Sequence, residues 1–386
     1  MQNGINNGRG TPDSTEQLRI SCLGESDNKQ EPFTRLRYDL PTDLVNIITG
    51  MVPDCELTIN GNTEGVNYDE LLSRLKETTS PIEEIRLLRP FPLTRAYCNG
   101  AFMLVCRIVG DVVCTDPDIS RLFNNCSLLK EINGKWDTSL VTNMSEMFRE
   151  ATSFNHPLPL WNTNLVTNMS GMFRDASFFN QLLPLWGTSN VIDMSEMFSR
   201  ATLFDKPLRC WNTERVISMN GMFYQATSFN QPVPNWDTGR VTDMSFMFSG
   251  AISFNSNVPF WNTERVTDMT LMFGGATAFD RTLPPWNTKR VTNMSFMFYK
   301  ATSFNKPIPH WNTRAVTDMS EMFSRATSFN KPLPHWDTRV VTDMSGMFKR
   351  ATSFNQPLPH WDIRAVADRS EMFSGATSFN QSVPWN

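Results

Sequence analysis

A tryptophan returns every 25 residues, at Trp136, Trp161, Trp186, Trp211, Trp236, Trp261, Trp286, Trp311, Trp336 and Trp361, and that interval constrains the fold more than any other feature. A side chain recurring at fixed spacing through ten copies makes each copy one coil of a solenoid, with equivalent residues stacked in columns. The unit reads W-[DN]-T-x-x-V-T-[DN]-M-S-x-M-F-x-x-A-T-S-F-N-x-P-L-P-x, and residues 311 to 335 show it almost undisturbed (WNTRAVTDMSEMFSRATSFNKPLPH). Nineteen of the 22 methionines and twenty of the 28 phenylalanines fall in the columns begun by Met144, Met147, Phe148 and Phe154, so each apolar type keeps its own place. One coil cannot bury this set alone, and the coils must share a continuous core. At a parallel-strand spacing of about 4.8 Å, ten coils predict a rod or arc roughly 50 Å long.

Within a coil, V-T-D-M alternates apolar and polar and predicts a short strand. S-E-M-F-S-R-A predicts a turn or two of helix or 3₁₀. S-F-N reads as extended, and the prolines of P-L-P favour a polyproline-like segment. Asn follows the second Phe at Asn155, Asn180, Asn230, Asn255, Asn305, Asn330, Asn355 and Asn380, with Asp205 and Asp280 in the other two copies. Such a column predicts a ladder in which side chains bond backbone groups of their own and the adjacent coil.

The string V-T-x-M-x-x-M-F-x-x-A-x-S-F-N joined to W-D-T closely resembles the repeat of BspA-like leucine-rich-repeat surface proteins, found also in Mycoplasma proteins of unassigned function. The resemblance covers residues 111 to 386 and is matched ten times. It implies a leucine-rich-repeat-like solenoid with Val, Met, Phe and Ala in the places usually held by Leu, and a role as an adhesin or interaction protein. No catalytic residue comes with it. The chain departs from the family in having P-L-P after F-N, where a more polar segment is usual, and in showing no export signal.

Four regions follow. Residues 1 to 30, rich in Asn, Gly, Ser and Gln, read as a disordered leader without a secretory signal. Residues 31 to 110 form a small, mainly helical N-terminal domain: Leu44, Ile47, Ile48 and Met51 share one helical face, and a second helix is expected over residues 68 to 77 with Leu71, Leu72 and Leu75 inward. The string L-P-T-D-L-V-N-I-I is similar to the opening of an F-box, which would make the chain a ubiquitin-ligase adaptor, against the plainer reading of a capping domain. Residues 111 to 135 are a degenerate capping coil, with Ile119, Leu122, Phe123 and Cys126 in the Met, Met, Phe and Ala columns, and residues 136 to 386 hold ten repeats, the last incomplete. No apolar run reaches the roughly 18 residues of a membrane span. The seven cysteines fit neither a zinc motif nor a disulfide framework, which implies free thiols and a cytoplasmic setting.

Function is sought in columns. Arg215, Arg240, Arg265 and Arg290 occupy four successive coils, and Arg314, Arg339 and Arg364 continue one place earlier. They read either as a solvated face offset by the column of Asp243, Asp268, Asp318, Asp343 and Asp368, or as a stripe receiving an acidic protein partner. Charge supports the later coils as the docking region: residues 211 to 386 carry 16 basic and 13 acidic side chains, whereas residues 1 to 110 carry 11 and 15. Nucleic acid is disfavoured because no exposed aromatics are interleaved in that strip. His310, His335 and His360 form a column that could hold a metal or be an incidental surface feature. The methionines could sense oxidation and the tryptophans could stack ligands, but both read more simply as core. An enzyme needs a unique constellation, whereas here each polar type repeats and His156 stands alone. No cofactor is implied. In the last coil Arg369 takes a Met position, which predicts a monomer or weak self-association through that coil.

Overall fold

In a computed structural model, the structure describes residues 102 to 383 apart from 235 and 359, together with residues 19–22, 38–39, 55–59, 81–87 and 91–93. Among the described residues nine strands open the chain: β1 Arg19–Cys22, β2 Tyr38–Asp39, β3 Cys55–Ile59, β4 Ile82–Leu87, β5 Phe91–Leu93, β6 Arg107–Val109, β7 Val112–Cys114, β8 Glu131–Asn133 and β9 Trp136–Asp137. One sheet has the order β2-β1-β3-β4-β6-β8 and the other β5-β7-β9. β1 runs antiparallel to β2 and β3, and every other pairing is parallel, with Ile85 opposite Ile108 and Ile108 opposite Ile132. The parallel stack therefore already begins at β3. Among the described residues there is no helix, and what is described of residues 31 to 110 is strand, turn and bend, so the mainly helical N-terminal domain finds no support there. The helices expected over residues 44–51 and 68–77, and the F-box-like string, lie outside the described residues.

From residue 136 each coil replaces its strands with a different backbone device. Counting Trp as position 1, the expected V-T-D-M strand shrinks to a single parallel bridge at position 8, repeated from Asp118 and Asn143 to Asp343 and Asp368. The expected helical turn is absent for a stated reason. In a helix every N–H would turn back to the carbonyl four residues earlier. Here Met144, Glu146, Phe148 and Glu150 donate instead to the Asn168, Ser170, Met172 and Arg174 carbonyls of the next coil, at 2.8 to 3.0 Å, while Met147, Arg149 and Ala151 turn back three residues. This alternation requires a left-handed residue at positions 11 and 15 of every coil, for example Glu146 (φ 53°) and Glu150 (φ 59°), with Gly171, Gly221 and Gly346 taking position 11 in other coils. Each non-glycine there costs about 1 kcal/mol or more, and the coil-to-coil hydrogen bonds offset it.

The core lies along the axis. Val, both Met, the first Phe and Ala are essentially sealed from solvent in nearly every coil, and the tryptophans from Trp136 to Trp361 are 1 to 5% exposed. The two phenylalanines of a coil stack at 3.9 to 4.3 Å, and the first stacks on its counterpart at 5.2 to 5.9 Å. Indole N–H groups of Trp261, Trp286 and Trp311 reach the Pro234, Pro259 and Pro284 carbonyls at 3.4 Å. The asparagine ladder is present: Asn180 N–H donates to Asn155 Oδ1 at 2.9 Å, and the rung recurs through Asn380 and Asn355. Only an acceptor oxygen is used from coil to coil, so Asp205 and Asp280 serve equally well.

Candidate interaction surface

Most repeated polar side chains are consumed by the stack itself. The buried Thr at position 3 donates to the position-2 carbonyl of the next coil, as Thr238 does to Asn262 at 2.8 Å. Thr at position 17 donates to its counterpart's carbonyl one coil back, as Thr227 does to Thr202 at 3.3 Å. The variable positions are the candidates for recognition.

Arg215, Arg240, Arg265 and Arg290 all stand exposed at the corner formed by positions 4 and 5. Arg215 donates to Asn190 Oδ1 at 2.8 Å, and the other three have no ion-pair partner among the described residues. The aspartates expected to offset them do something else. Asp243 Oδ1 accepts the Ser245 N–H at 2.8 Å and its hydroxyl at 2.6 Å, and Asp268, Asp318, Asp343 and Asp368 hold the N–H two residues on in the same way. They cap the turn that starts the coil-to-coil alternation. Counter-charge comes from position 2 instead, and only in the last coils: Arg339 and Arg364 pair with Asp337 and Asp362 at 2.6 Å, and Arg314 approaches Asp337 at 3.6 Å. The hydrogen bond from the Arg364 guanidinium, helped by its N–H, pulls the Asp362 carboxyl down to about 2.

His310, His335 and His360 are exposed on the facing ridge, position 25, with the His310 and His335 rings 4.0 Å apart. Between the ridges lies an open cavity of about 720 Å³ bordered by these histidines, Arg314, Arg339 and Trp336. Among the described residues no group of three His, Cys, Asp or Glu is placed to hold a metal ion. Further toward the N-terminus the same ridge is apolar, with Leu160, Leu185 and Phe260 exposed by 70, 71 and 78% beside Leu140 and Leu165 on the corner. The sequence reading missed this ridge, although its signal was a variable position directly before each Trp that holds Leu, Leu and Phe. Cys106, Cys114 and Cys126 are buried, burial pushing the Cys126 thiol up to about 12, and Cys210 is exposed on the ridge. His156 is held below the usual histidine range by burial.

A second open trough, of about 1070 Å³, runs along positions 15 and 17 from Asn125 and Ser127 to Gly250 and Ile252. No helix among the described residues is long and apolar enough to cross a membrane.

No curated protein matches the chain. Among solved structures, it is similar to the TLR13–ssRNA13 complex at 11% identity, with a TM-score of 0.28, covering 81% of this chain and 48% of that one. It is also similar to the Toll–Spatzle complex of Drosophila at 10% identity, with a TM-score of 0.20, covering 92% and 51%. The chain thus spans about half the length of the solved structures it matches. A family model described as "Mycoplasma protein of unknown function, DUF285" matches residues 117–233, 202–305 and 280–385. These three matches tile the array of left-handed turns and buried tryptophans, and the chain belongs to that family.

Proposed function

We infer that this repeat solenoid is a non-enzymatic protein-interaction module that presents its arginine corner to an acidic protein surface. The observation that carries the reading is the set of four exposed arginines on successive coils, none of them in an ion pair among the described residues. Adjacent coils place their equivalent rings 5.9 to 6.2 Å apart. Neighbouring unit charges at that spacing repel by about 0.7 kcal/mol in water, a cost that an acidic partner removes. The non-catalytic reading is supported by the fate of the repeated hydroxyls, amides and carboxylates, which are bonded into the stack. Kinship with BspA-like leucine-rich repeats and a cytoplasmic setting belong to the same proposal, the latter supported by the free thiols of Cys126 and Cys210.

The test is association of the full chain with an immobilised polyglutamate peptide. Changing Arg215, Arg240, Arg265 and Arg290 to Ser should slow association and flatten its salt dependence while leaving unfolding unchanged. Binding that survives unaltered assigns these arginines to solubility.

A further inference from the structure

Position 11 carries Glu146, Glu196, Glu321 and Glu371 or Gly171, Gly221 and Gly346, except in three successive coils, where it carries Phe246, Leu271 and Phe296. Elsewhere this column takes part in an ion-pair belt with position 14: Glu146 binds Arg149, Arg174 binds Glu196, and Lys349 binds Glu371. Over the three apolar coils the belt is replaced by half-buried rings. Tyr224 meets Phe246 edge-on at 6.1 Å and Tyr299 meets Phe296 at 5.7 Å. Leu271 lies over Gly274, where any Cβ would come within 2.3 Å of its Cδ2. Beside the rings, position 15 holds Gly250 and Gly275, the first of them lining the end of the second trough together with Ile252, which stands 48% exposed. The result is an apolar strip that costs left-handed strain at Phe246 (φ 60°), Leu271 (φ 55°) and Phe296 (φ 57°) without being sealed into the core.

The ends of the strip differ in charge. Toward the N-terminus, Arg200 lies over the Tyr224 ring at 5.6 Å but is shared with Asp175 at 3.6 Å. Toward the C-terminus, Lys300 lies over Tyr299 at 5.0 Å and is followed along position 15 by Arg325 and Arg350. None of these three has an ion-pair partner among the described residues, and the neighbouring Glu321 carboxylate is likewise in no ion pair among them. Lys349, facing them from position 14, is taken by Glu371.

We propose that this strip docks an amphipathic α-helix from a protein partner, apolar face on Phe246, Leu271 and Phe296, with acidic residues at the end lying over Lys300, Arg325 and Arg350. Helical form follows from the backbone. The Phe246, Phe248 and Gly250 N–H groups already serve the Thr270, Met272 and Gly274 carbonyls, and Ser249 and Gly274 turn back on Phe246 and Leu271. An extended peptide would find no free edge there, whereas a helix satisfies its own backbone and needs only side-chain contact. Length agrees. From Tyr224 to Tyr299 are three coil steps, spaced 5.6, 5.7 and 5.8 Å along the Phe223, Phe248, Phe273 and Phe298 column. That is about 17 Å, the length of about eleven helical residues. A second copy of the chain is disfavoured as occupant, because strip-on-strip pairing would bring the unpaired cations of two copies onto one shared surface.

The experiment uses the full chain and a fluorescent sixteen-residue stapled helix with leucines at i, i+3, i+4 and i+7 and glutamates at one end, read by anisotropy (~16 residues allow about four turns). Phe246→Gly, Leu271→Gly and Phe296→Gly are combined, a change the fold accepts because glycine already holds this position in three other coils. The expected result is saturable binding that weakens at least about tenfold in the triple variant, stays unchanged in the Arg215, Arg240, Arg265 and Arg290 to Ser variant, and is lost when the peptide glutamates become lysines. Equal binding by the triple variant, equal binding of the lysine peptide, or no saturation by roughly 1 mM overturns the proposal. Self-association of the full chain abolished by the triple variant would assign the strip to a second copy and overturn it as well. Since the arginine corner is scored separately on polyglutamate, each reading can fail alone.

Discussion

The side-chain ladder at position 20 makes a quantitative prediction that separates an acceptor-only device from one that needs an amide. Asn330 has neutral ladder neighbours on both sides, Asn305 and Asn355, so a charge placed there meets no adjacent carboxylate in the column. Its own N–H donates to Asn305 Oδ1 at 3.0 Å, and its Oδ1 accepts the Asn355 N–H at 3.0 Å and Gln356 Nε2 at 2.8 Å. Asn330→Ala keeps the first bond and removes the acceptor for the other two. The Gln356 amide can turn to water, but the Asn355 N–H sits in a partly buried rung, and an orphaned backbone donor costs about 1 to 3 kcal/mol. With water partly able to reach the site, the expected loss is in the lower half, about 1 to 2 kcal/mol. Asn330→Asp keeps every acceptor, and the charge strengthens bonds received from N–H donors, so it should lie within about 0.5 kcal/mol of the parent or above it. Urea unfolding followed by tryptophan emission measures both. If Asp costs as much as Ala, the amide NH₂ is required and the acceptor-only account fails. If Ala costs nothing, the ladder is decoration on a stack held by other bonds.

Phe273→Ala should cost about 4 kcal/mol and split the urea transition in two, because Phe273 is sealed from solvent, its ring stacks on Phe248, Phe279 and Phe298 at 5.7, 4.3 and 5.8 Å, and a weak coil divides a one-dimensional array; a loss under about 2 kcal/mol would mean the coils close over the gap. Burial raises the Asp280 carboxyl pKa, but the Lys306 ammonium at 2.8 Å, the Asn305 N–H and Arg281 outweigh it and hold the group below the usual aspartate value. The unfolded chain then takes up the proton first as pH falls, so this stabilisation is full above about pH 4 and is lost through the lower folded pKa. Asp280→Asn keeps the ladder acceptor without the ion pair, so parent and variant should converge in stability below about pH 4, and a gap unchanged from about pH 6 to about pH 3 would refute the pairing.

How much of this was legible follows from which features are repeated. Burial of Trp261 or Met269 could be read from spacing alone, because ten identical apolar residues in register have nowhere to go except a shared interior. The acceptor ladder was also readable, since Asn and Asp interchange in one column. The left-handed turns were not recognised, although the column holding Glu146, Gly171, Glu196, Gly221 and Gly346 carried the signal: glycine alternating with a polar residue at a fixed place marks positive φ. Reading S-E-M-F-S-R-A as helical followed from local propensity, and the neighbouring coil overrode it by competing for every second N–H. The arginine corner was visible as a column, but its counter-charges were misplaced. Spacing alone does not say that Asp243 faces its own turn while Asp337 shares a turn with Arg339, whose N–H it accepts at 3.2 Å.

The division between constant and variable positions carries a functional consequence. Each constant position is bound to its counterpart one coil away, so it can change only at the expense of the stack and is the same from coil to coil whatever the partner. The side chains at positions 4, 5, 11, 14, 15 and 25 are free of that demand, and there the coils differ: leucines at Leu160 and Leu185 give way to His310, His335 and His360, and glutamates at position 11 give way to Phe246, Leu271 and Phe296. A partner that recognised only the repeat would bind any coil equally. These interruptions give particular coils an address, the arginine corner from Arg215 to Arg290 and the apolar strip from Tyr224 to Tyr299 falling on the same stretch of the array but on different sets of positions. On the two proposals, one segment of solenoid would engage an acidic surface and a helix together, and because linked contacts multiply rather than add in affinity, neither contact would need to be strong by itself.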